Sequence, residues 1–368
     1  MPEPDAAPPP AASLIGQLLA HAATGAPLGD AERYFTWQPE GGDLRQFRWA
    51  LEGGLGPLLH HATRGHPALL PPDWRGTLLA ADLSTRVRHG NSIATTLEIV
   101  DACARLGVAL TLLKGISVSE QWYPEEHLRP MGDVDVLIPA ADYARVEAAL
   151  LAEGYEQVDE PAIPGLQHGI PLRRLRCDTL VELHTTLFAA DSALSLGQLF
   201  SAAGVSGRTV PSLYHGRPVQ RLGAELQLAY IASSWFNDLT QRKVHPSFLA
   251  SLFDAVYLLR SAGRTLDWRD LPQWLDNEMA AASLYTMATY LPRHGVAPLA
   301  PDCIAQLAAA AQPLVGPVQL KLIHGMLDSY LIAGRPWRFV LPPPVPGRYS
   351  LPHQFRKRVL SHLHRPSR

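Results

Sequence analysis

The spacing of hydrophobic and polar positions divides the chain into three stretches. From residue 13 to residue 106, apolar side chains recur every three or four positions, which predicts amphipathic helices. Between residues 107 and 190, short β-branched runs such as 108–114 and 133–139 alternate with helical segments, which predicts strands and helices in turn. From residue 219 to about residue 335 the helical spacing returns. The pattern therefore predicts a small α/β unit between two helical regions.

The stretch from 107 to 190 contains enough elements for a small sheet. After the first two predicted strands come an amphipathic helix over residues 141–154 and a hairpin over residues 171–187, with Asp178-Thr179 as its turn. Residues 191–218 show neither period, and we expect a loop region there. On this basis the chain divides into a disordered leader (1–12), an N-terminal helical region (13–106), an α/β core (107–218), a C-terminal helical domain (219–340), and a proline-rich linker with a basic tail (341–368).

Composition excludes several classes of protein. With 47% hydrophobic and 18% charged residues over 368 positions, the chain is long enough to bury a core, which excludes collagen-like and wholly disordered proteins. Its three cysteines are widely spaced, so neither a disulfide framework nor a zinc ribbon is indicated. The sequence shows no signal-peptide pattern and no apolar run of bilayer-spanning length, which favours a cytoplasmic protein without membrane contact.

Charge is distributed unevenly along the chain. The formal net charge is −2, but residues 343–368 carry six basic residues and no acid, so the rest of the chain carries −8. Because binding to a phosphate backbone needs a basic surface, extended nucleic acid is disfavoured as a partner. Only four of the 32 basic residues are lysines, and Lys114 is the only lysine among the first 242 residues.

Two aspartates on a predicted strand are candidates for a metal site. Asp133 and Asp135 are two positions apart, so both side chains leave one face of the strand, while Val134 and Val136 point to the opposite face. Carboxylate oxygens are the ligands that Mg²⁺ prefers, and Mg²⁺ neutralises the phosphates of a nucleotide. A lone aspartate pair is more often an exposed edge pattern than a catalytic pair, so the assignment needs further residues.

Residues on either side of the pair supply further chemistry. Lys114 and Gly115 end the preceding predicted strand, where a glycine lets backbone N–H groups approach a phosphate closely. Ser117, near the start of a predicted helix, adds a hydroxyl donor. Glu182 is a lone carboxylate in an apolar strand, and it is either the third acid of a metal site or an exposed alternate position of the hairpin.

The order of these motifs is similar to that of a known family. LLKG, WYP, LRPMGDVDVLI, a helix ending in EGY, a histidine and VELH resemble the motifs of the uncharacterised nucleotidyltransferase family, in the DNA-polymerase-β-like superfamily. The resemblance covers residues 90–190 strongly and extends weakly to about residue 330. It implies an α+β fold, with a small mixed-sheet polymerase-β-like core embedded between N- and C-terminal helical regions.

The resemblance implies a role for each matching residue. Asp133 and Asp135 would be the metal-binding pair, and Glu182 would be the third carboxylate, which binds metal or activates the acceptor. Mg²⁺ or Mn²⁺ would be the cofactor and an NTP the substrate. Gly115 and Ser117 would hold the triphosphate. From their charge and position, we expect Lys114 and Arg129 to handle the triphosphate as well.

Three residues near the acids each have two possible roles, one functional and one structural. Arg129, in the loop before the aspartate pair, would reach a phosphate bidentately or would pair at the surface with Glu125 or Glu126. His184 lies on the same strand face as the third acid, and His168 lies in a loop before the hairpin. Each histidine would orient a substrate or a carboxylate, or would be a hydrogen-bonded part of the scaffold.

These observations predict a Mg²⁺-dependent nucleotidyltransferase that transfers a nucleotidyl group from an NTP to an unknown acceptor. The acceptor would be a peptide, a protein or a small molecule, because the fold alone does not select among them. The alternative is a catalytically inactive regulatory protein with the same fold that binds a nucleotide or a peptide, although the presence of all three acids argues against it. A nucleic-acid polymerase or a tRNA-modifying enzyme is disfavoured by the acidic body of the chain.

Overall fold

The computed structural model describes residues 13–28, 44–65, 70–159, 165–240, 246–268 and 271–333. The predicted leader (1–12) and the predicted linker and basic tail (341–368) lie outside these residues, so both stay predictions. Within the described part of the chain, no helix is both long enough and apolar enough to cross a membrane.

The predicted N-terminal helical region forms helices that precede the sheet. Their bounds are α1 (Leu14–Thr24), α2 (Leu44–Glu52), α3 (Gly56–Thr63) and α4 (Pro72–Leu106). The side chain of Ser13 caps α1 by accepting a hydrogen bond from the Gly16 N–H at 2.9 Å. The long helix α4 ends where Gly107 adopts a left-handed conformation, with φ 66°, and releases the chain into the first strand.

The described strands form one seven-stranded mixed sheet in the order β3-β4-β5-β2-β1-β7-β6. Their bounds are β1 (Thr111–Leu112), β2 (Asp133–Leu137), β3 (Tyr155–Gln157), β4 (Leu172–Arg174), β5 (Thr179–His184), β6 (Thr209–Tyr214) and β7 (Arg217–Leu222). The pairs β2–β5 and β1–β7 are parallel and the other pairs are antiparallel. Three helices connect them, namely α5 (Lys114–Trp122), α6 (Tyr143–Ala152) and α7 (Ala202–Ser206). The predicted α+β fold with a small mixed sheet is confirmed.

The prediction of a loop region over residues 191–218 is wrong, because this segment contains most of a β-hairpin. The two strands β6 and β7 meet at a turn in which His215 and Gly216 both have positive φ, 43° and 81°. The strands were not predicted because Pro211 and Pro218 lack the backbone N–H that donates hydrogen bonds between strands, so proline argues against a strand. Pro211 is tolerated because β6 is an edge strand, and β1 pairs with β7 only further along, at Gln220 and Arg221.

The C-terminal helices form most of the larger of two apolar clusters. Their bounds are α8 (Ala224–Thr240), α9 (Pro246–Ala262), α10 (Leu271–Trp274), α11 (Glu278–Tyr290), α12 (Pro301–Ala311) and α13 (Pro317–Ala333). Helix α9 packs against α5, which joins the helical layer to the sheet. The smaller cluster lies against the sheet and contains Val134 and Val136, both fully buried, as the alternation in β2 predicted.

Candidate active site

The three predicted acids lie on two neighbouring strands of the sheet. β2 and β5 run parallel in a register that sets Asp135 directly opposite Glu182 and Asp133 opposite Leu180. Because residues two apart share a face of a strand, Asp133, Asp135 and Glu182 all project to the same side of the sheet. The opposite side is the one that carries the buried valines.

Two of the three acids converge on a histidine. The Nε2 atom of His184 lies 2.7 Å from Asp135 Oδ1 and 3.3 Å from Glu182 Oε2. One ligand atom from each of these three residues lies within 4.8 Å of the other two. Asp133 is not a member of that group, but it lines the same cavity one position along the strand face. The sheet register therefore creates a carboxylate cluster of Asp133, Asp135 and Glu182.

His168 extends this cluster on the side of Glu182. Its Nε2 atom lies 3.5 Å from Glu182 Oε2, and its Nδ1 atom lies 2.7 Å from the carbonyl oxygen of Gly169. An isolated backbone bridge joins His168 to His184, and their ring centroids are 5.3 Å apart. Both predicted accessory histidines therefore contact the carboxylate of Glu182.

The carboxylate cluster carries more negative charge than its surroundings neutralise. The negative charge of Asp135, together with burial, raises the pKa of Asp133 to about 7. Burial alone would also raise the pKa of Asp135, but the charge of Lys114 and the hydrogen bond from His184 hold it below its usual value. Burial likewise opposes ionisation of Glu182, and the hydrogen bond from His184 lowers its pKa. Of the three acids, Asp133 is therefore the one whose ionised form is least favoured.

Lys114 places a cation directly on this cluster. Its Nζ atom lies 3.0 Å from Asp135 Oδ1, and one third of its side chain, 33%, is exposed at the cavity. The backbone brings it there because the N–H of Leu113 bonds the carbonyl oxygen of Asp135 at 3.1 Å, next to the β1–β2 pairing. Lys114 also begins α5 with φ 37°, a left-handed value that is uncommon for a residue with a side chain and that recurs at functional sites.

Gly115 and Ser117 do not line the cavity, although both belong to α5. A Cβ atom at Gly115 would overlap the guanidinium of Arg129 and the sulfur of Met131, so the glycine makes room for the following loop. The hydroxyl oxygen of Ser117 is fully buried and accepts hydrogen bonds from Gln121 at 3.1 Å and from Arg221 at 3.3 Å. The hydroxyl of Ser117 therefore points into the protein and not into the cavity, and its contact to a triphosphate stays a prediction.

Arg129 pairs with neither of the two glutamates considered from the sequence. Its Nε and Nη2 atoms donate to both carboxylate oxygens of Asp254 in α9, at 2.8–3.1 Å. The hydroxyl of Tyr123 donates to the same carboxylate at 2.8 Å. Both partners of the ion pair are buried, with side chains 11% and 3% exposed. This trio, the loop anchor, fastens the loop between α5 and β2 to the C-terminal helices.

The cavity beside the carboxylates has a volume of about 830 Å³. Its walls come from the sheet, the loop before β2, α4, α8 and α9, and they include Tyr230, Asn237, Asp238 and Asp254. Tyr230 is buried, and burial raises the pKa of its hydroxyl while the nearby ammonium of Lys114 opposes the shift. Tyr230 and Asp254 were not among the site residues predicted from the sequence. For Asp254 a signal was present, since it is the lone acid in the apolar run SFLASLFDAVYLL.

The donor set fits a divalent cation with oxygen ligands. Asp135 and Glu182 offer carboxylate oxygens close together, and Asp133 offers a third carboxylate at the same cavity wall. Mg²⁺ and Mn²⁺ prefer such oxygens. The raised pKa of Asp133 reflects repulsion between acids, which a bound cation would relieve. His184, in contact with two of the carboxylates, is suited to orienting them.

A mixed sheet that presents paired carboxylates to a cavity is an arrangement suited to metal-assisted transfer of phosphate groups. Residues 44–294, more than half of the chain, match the model of a family described as "Uncharacterised nucleotidyltransferase". The chain belongs to this nucleotidyltransferase family, so the resemblance seen in the motifs is confirmed. A search of curated proteins finds no match.

Two solved structures are similar to part of the chain. Both are of the antibiotic-resistance factor ANT(2'')-Ia, one in solution and one in a crystal with adenylyl-2''-tobramycin. The solution structure is 16% identical, with a TM-score of 0.32, and the match covers 48% of this chain and 92% of that one. The crystal structure is 16% identical, with a TM-score of 0.30, and covers 48% and 98%. At these values the similarity carries no inference about substrates.

Proposed function

We propose that the protein is a Mg²⁺- or Mn²⁺-dependent enzyme that transfers a nucleotidyl group from an NTP to a hydroxyl or similar group of an acceptor. In this reaction the acceptor oxygen forms a bond to the α-phosphorus, and the bond from that phosphorus to pyrophosphate breaks. The observation that carries the proposal is the β2–β5 register, which sets Asp135 opposite Glu182 at the wall of a cavity.

The carboxylate cluster would hold the metal. Asp133, Asp135 and Glu182 are the proposed ligands, and the bound cation would neutralise charge on the triphosphate and on the leaving pyrophosphate. His184 holds the carboxylates of Asp135 and Glu182 in place through its Nε2 atom. His168 supports Glu182 from the other side. In the alternative role for Glu182, its free oxygen would accept the proton of the acceptor hydroxyl.

The four predicted triphosphate residues do not support the proposal equally. Lys114 lies at the cavity with its ammonium beside the carboxylates, so we assign it to the triphosphate. Arg129 lines the cavity too, but Asp254 already neutralises its guanidinium. Gly115 and Ser117 lie behind the wall, and their contribution is to pack the loop and α5. We therefore propose Lys114 as the principal contact to phosphate.

The acceptor would enter the same cavity as the nucleotide. A volume of about 830 Å³ is at the upper end of the range of small-molecule pockets, roughly 300–1,000 Å³. It therefore offers room for a reactive group beside the nucleotide. A small molecule, or one side chain of a peptide or protein, fits this description, whereas the acidic body of the chain disfavours extended nucleic acid.

Incubation with each of the four NTPs, labelled at the α-phosphate, in the presence of Mg²⁺ and candidate acceptors tests the proposal. We expect label transfer or NTP consumption by the wild type and a loss of at least about a hundredfold in Asp133→Asn/Asp135→Asn, because the metal ligands are gone. Asp178→Asn is the matched control, since this acid lies 81% exposed at the turn before β5. Equal turnover in the wild type and the double variant would contradict the mechanism. NTP binding without turnover would favour the inactive regulatory alternative.

A further inference from the structure

The ammonium of Lys114 contacts a carboxylate that belongs to the candidate metal site. Asp135 Oδ1 accepts from Lys114 Nζ at 3.0 Å and contacts His184 Nε2 at 2.7 Å. That same carboxylate belongs to the group of atoms close enough together to bind one ion. A compact lysine ammonium carries a full positive charge and can substitute electrostatically for part of the charge of a divalent cation.

The surroundings of Lys114 allow its ammonium to move away from the carboxylates and into the cavity. Its ammonium lies 3.0 Å from Asp135 Oδ1 and lines the same cavity as Asp133 and Glu182. Its side chain is still 33% exposed at the cavity, and its four-carbon stem can rotate towards a ligand there. Its backbone has the uncommon φ of 37° where α5 begins, while the charged end of its side chain reaches the cavity.

The loop anchor shows what a permanent ion pair looks like in this protein. Arg129 meets Asp254 through three hydrogen bonds, and the Arg129 and Asp254 side chains are only 11% and 3% exposed. Lys114, by contrast, donates one hydrogen bond to a carboxylate that already contacts a histidine, and the hydroxyl of Tyr230 lies beside its ammonium. A monodentate pair beside an open cavity is easier to exchange than a buried bidentate pair.

We propose that Lys114 is an exchangeable counter-ion of the metal site: it neutralises Asp135 in the metal-free protein, yields that carboxylate to the divalent cation, and turns to the triphosphate. This inference rests on the proposed function, since it requires the carboxylate cluster to bind a metal. Without nucleotide, Lys114 therefore competes with the metal ion for the carboxylate of Asp135. When a nucleotide is bound, the ammonium of Lys114 stabilises its triphosphate. Removing the ammonium should therefore change the two affinities in opposite directions.

Binding of Mn²⁺ to the full-length protein without nucleotide, followed by the electron paramagnetic resonance signal of free Mn²⁺, tests this directly. We expect Lys114→Met to bind Mn²⁺ roughly tenfold more tightly than the wild type, because a like charge is removed from the site. The same variant should bind Mn²⁺-NTP at least about tenfold more weakly. Lys114→Arg, which keeps the charge, should stay near the wild type for Mn²⁺. Lys321→Met, which removes an exposed lysine charge from α13, is the matched control.

A second measurement on the wild type does not depend on the folding of any variant. The chain has only four lysines, so partial acetylation followed by mass spectrometry can resolve each one. Mn²⁺ should increase the acetylation of Lys114, because its amine is released from Asp135, and leave Lys321 unchanged. Unchanged or weaker Mn²⁺ binding in Lys114→Met, with no gain in acetylation, would overturn the counter-ion role while the metal site stands. If the wild type binds no Mn²⁺, the counter-ion role and the proposed metal function fail together.

Discussion

Two buried polar clusters lie beside one cavity, and they differ in how their charges are balanced. The loop anchor joins one carboxylate, Asp254, to one guanidinium and one tyrosine hydroxyl through short hydrogen bonds. The carboxylate cluster brings three acids to one lysine and two histidines, and the negative charge of Asp135 together with burial raises the pKa of Asp133 to about 7. Both clusters contain buried ionisable groups, but in only one does the charge remain unbalanced.

This difference separates a structural cluster from a functional one. A buried ion pair with every hydrogen bond satisfied keeps its partners in one position, and it gains nothing from a ligand. A cluster of like charges destabilises the empty protein and is relieved when a cation binds. We therefore expect mutations in the two clusters to change the free energy of unfolding in opposite directions.

The largest loss of stability should come from breaking the loop anchor. Asp254→Asn leaves the guanidinium of Arg129 buried without its counter-charge, and we expect the free energy of unfolding to fall by about 3–5 kcal/mol. Urea denaturation followed by circular dichroism measures this. Asp101→Asn is the control, because its pair with Arg217 lies at the surface and should contribute little. A loss no greater than that of the control would show that the anchor is not structural.

Asp133→Asn is the matched change in the other cluster, and its effect on stability should have the opposite sign. In the folded metal-free protein the pKa of Asp133 is about 7, above its ordinary value of 3.8, so the ionised form is disfavoured by folding at pH 8. A neutral asparagine removes this penalty, and we expect stability to rise by about 1–3 kcal/mol while transfer activity is lost. Denaturation at pH 8 in the presence of EDTA checks it, and a loss of stability there would remove the basis of the comparison.

A third buried group, a histidine without excess charge around it, predicts an effect of similar size that depends on pH. Burial lowers the pKa of His294 from 6.5 to about 4, so the unfolded chain binds a proton that the folded one excludes. Stability contributed by the neutral ring is therefore present above pH 6.5 and is lost as the pH falls towards 4. We expect a loss of about 2 kcal/mol between pH 7 and pH 5. In His294→Gln the free energy of unfolding, measured by urea titration at each pH, should depend less on pH. An unchanged pH dependence would show that His294 is not its source.

The smallest effect concerns Ser117, which the sequence predicts at the triphosphate and the structure buries inside the protein. Its hydroxyl bonds Gln121 and Arg221 inside the protein, so Ser117→Ala should cost about 1 kcal/mol of stability and leave the KM for NTP unchanged. Ser119→Ala, at another buried serine of α5, is the matched control. A tenfold rise in KM for NTP in Ser117→Ala alone would restore the triphosphate role that the sequence predicted.

Local patterns in the sequence were sufficient for most of the elements near the site. The alternation in 133–139 identified β2, the valine face and the common face of its two aspartates, since a two-residue period is a property of any strand. The hairpin over 171–187 was predicted with its turn at Asp178-Thr179; in the structure Asp178 ends the turn with φ 53° and Thr179 begins β5. The hairpin of β6 and β7 was missed, because an edge strand needs neither an apolar period nor every N–H, and proline therefore gave a misleading signal there.

The sequence alone determined which residue types were available and which faces they shared, because these follow from chain geometry over a few residues. Only the tertiary structure decided their partners. Parallel pairing of β2 and β5 sets Asp135 opposite Glu182, although the two residues are 47 positions apart in the sequence. Packing of α9 against the loop pairs Arg129 with Asp254, 125 positions away. Such pairings depend on how whole elements pack, and no local period encodes them. The same packing turned the hydroxyl of Ser117 inward and placed the ammonium of Lys114 beside the carboxylate of Asp135.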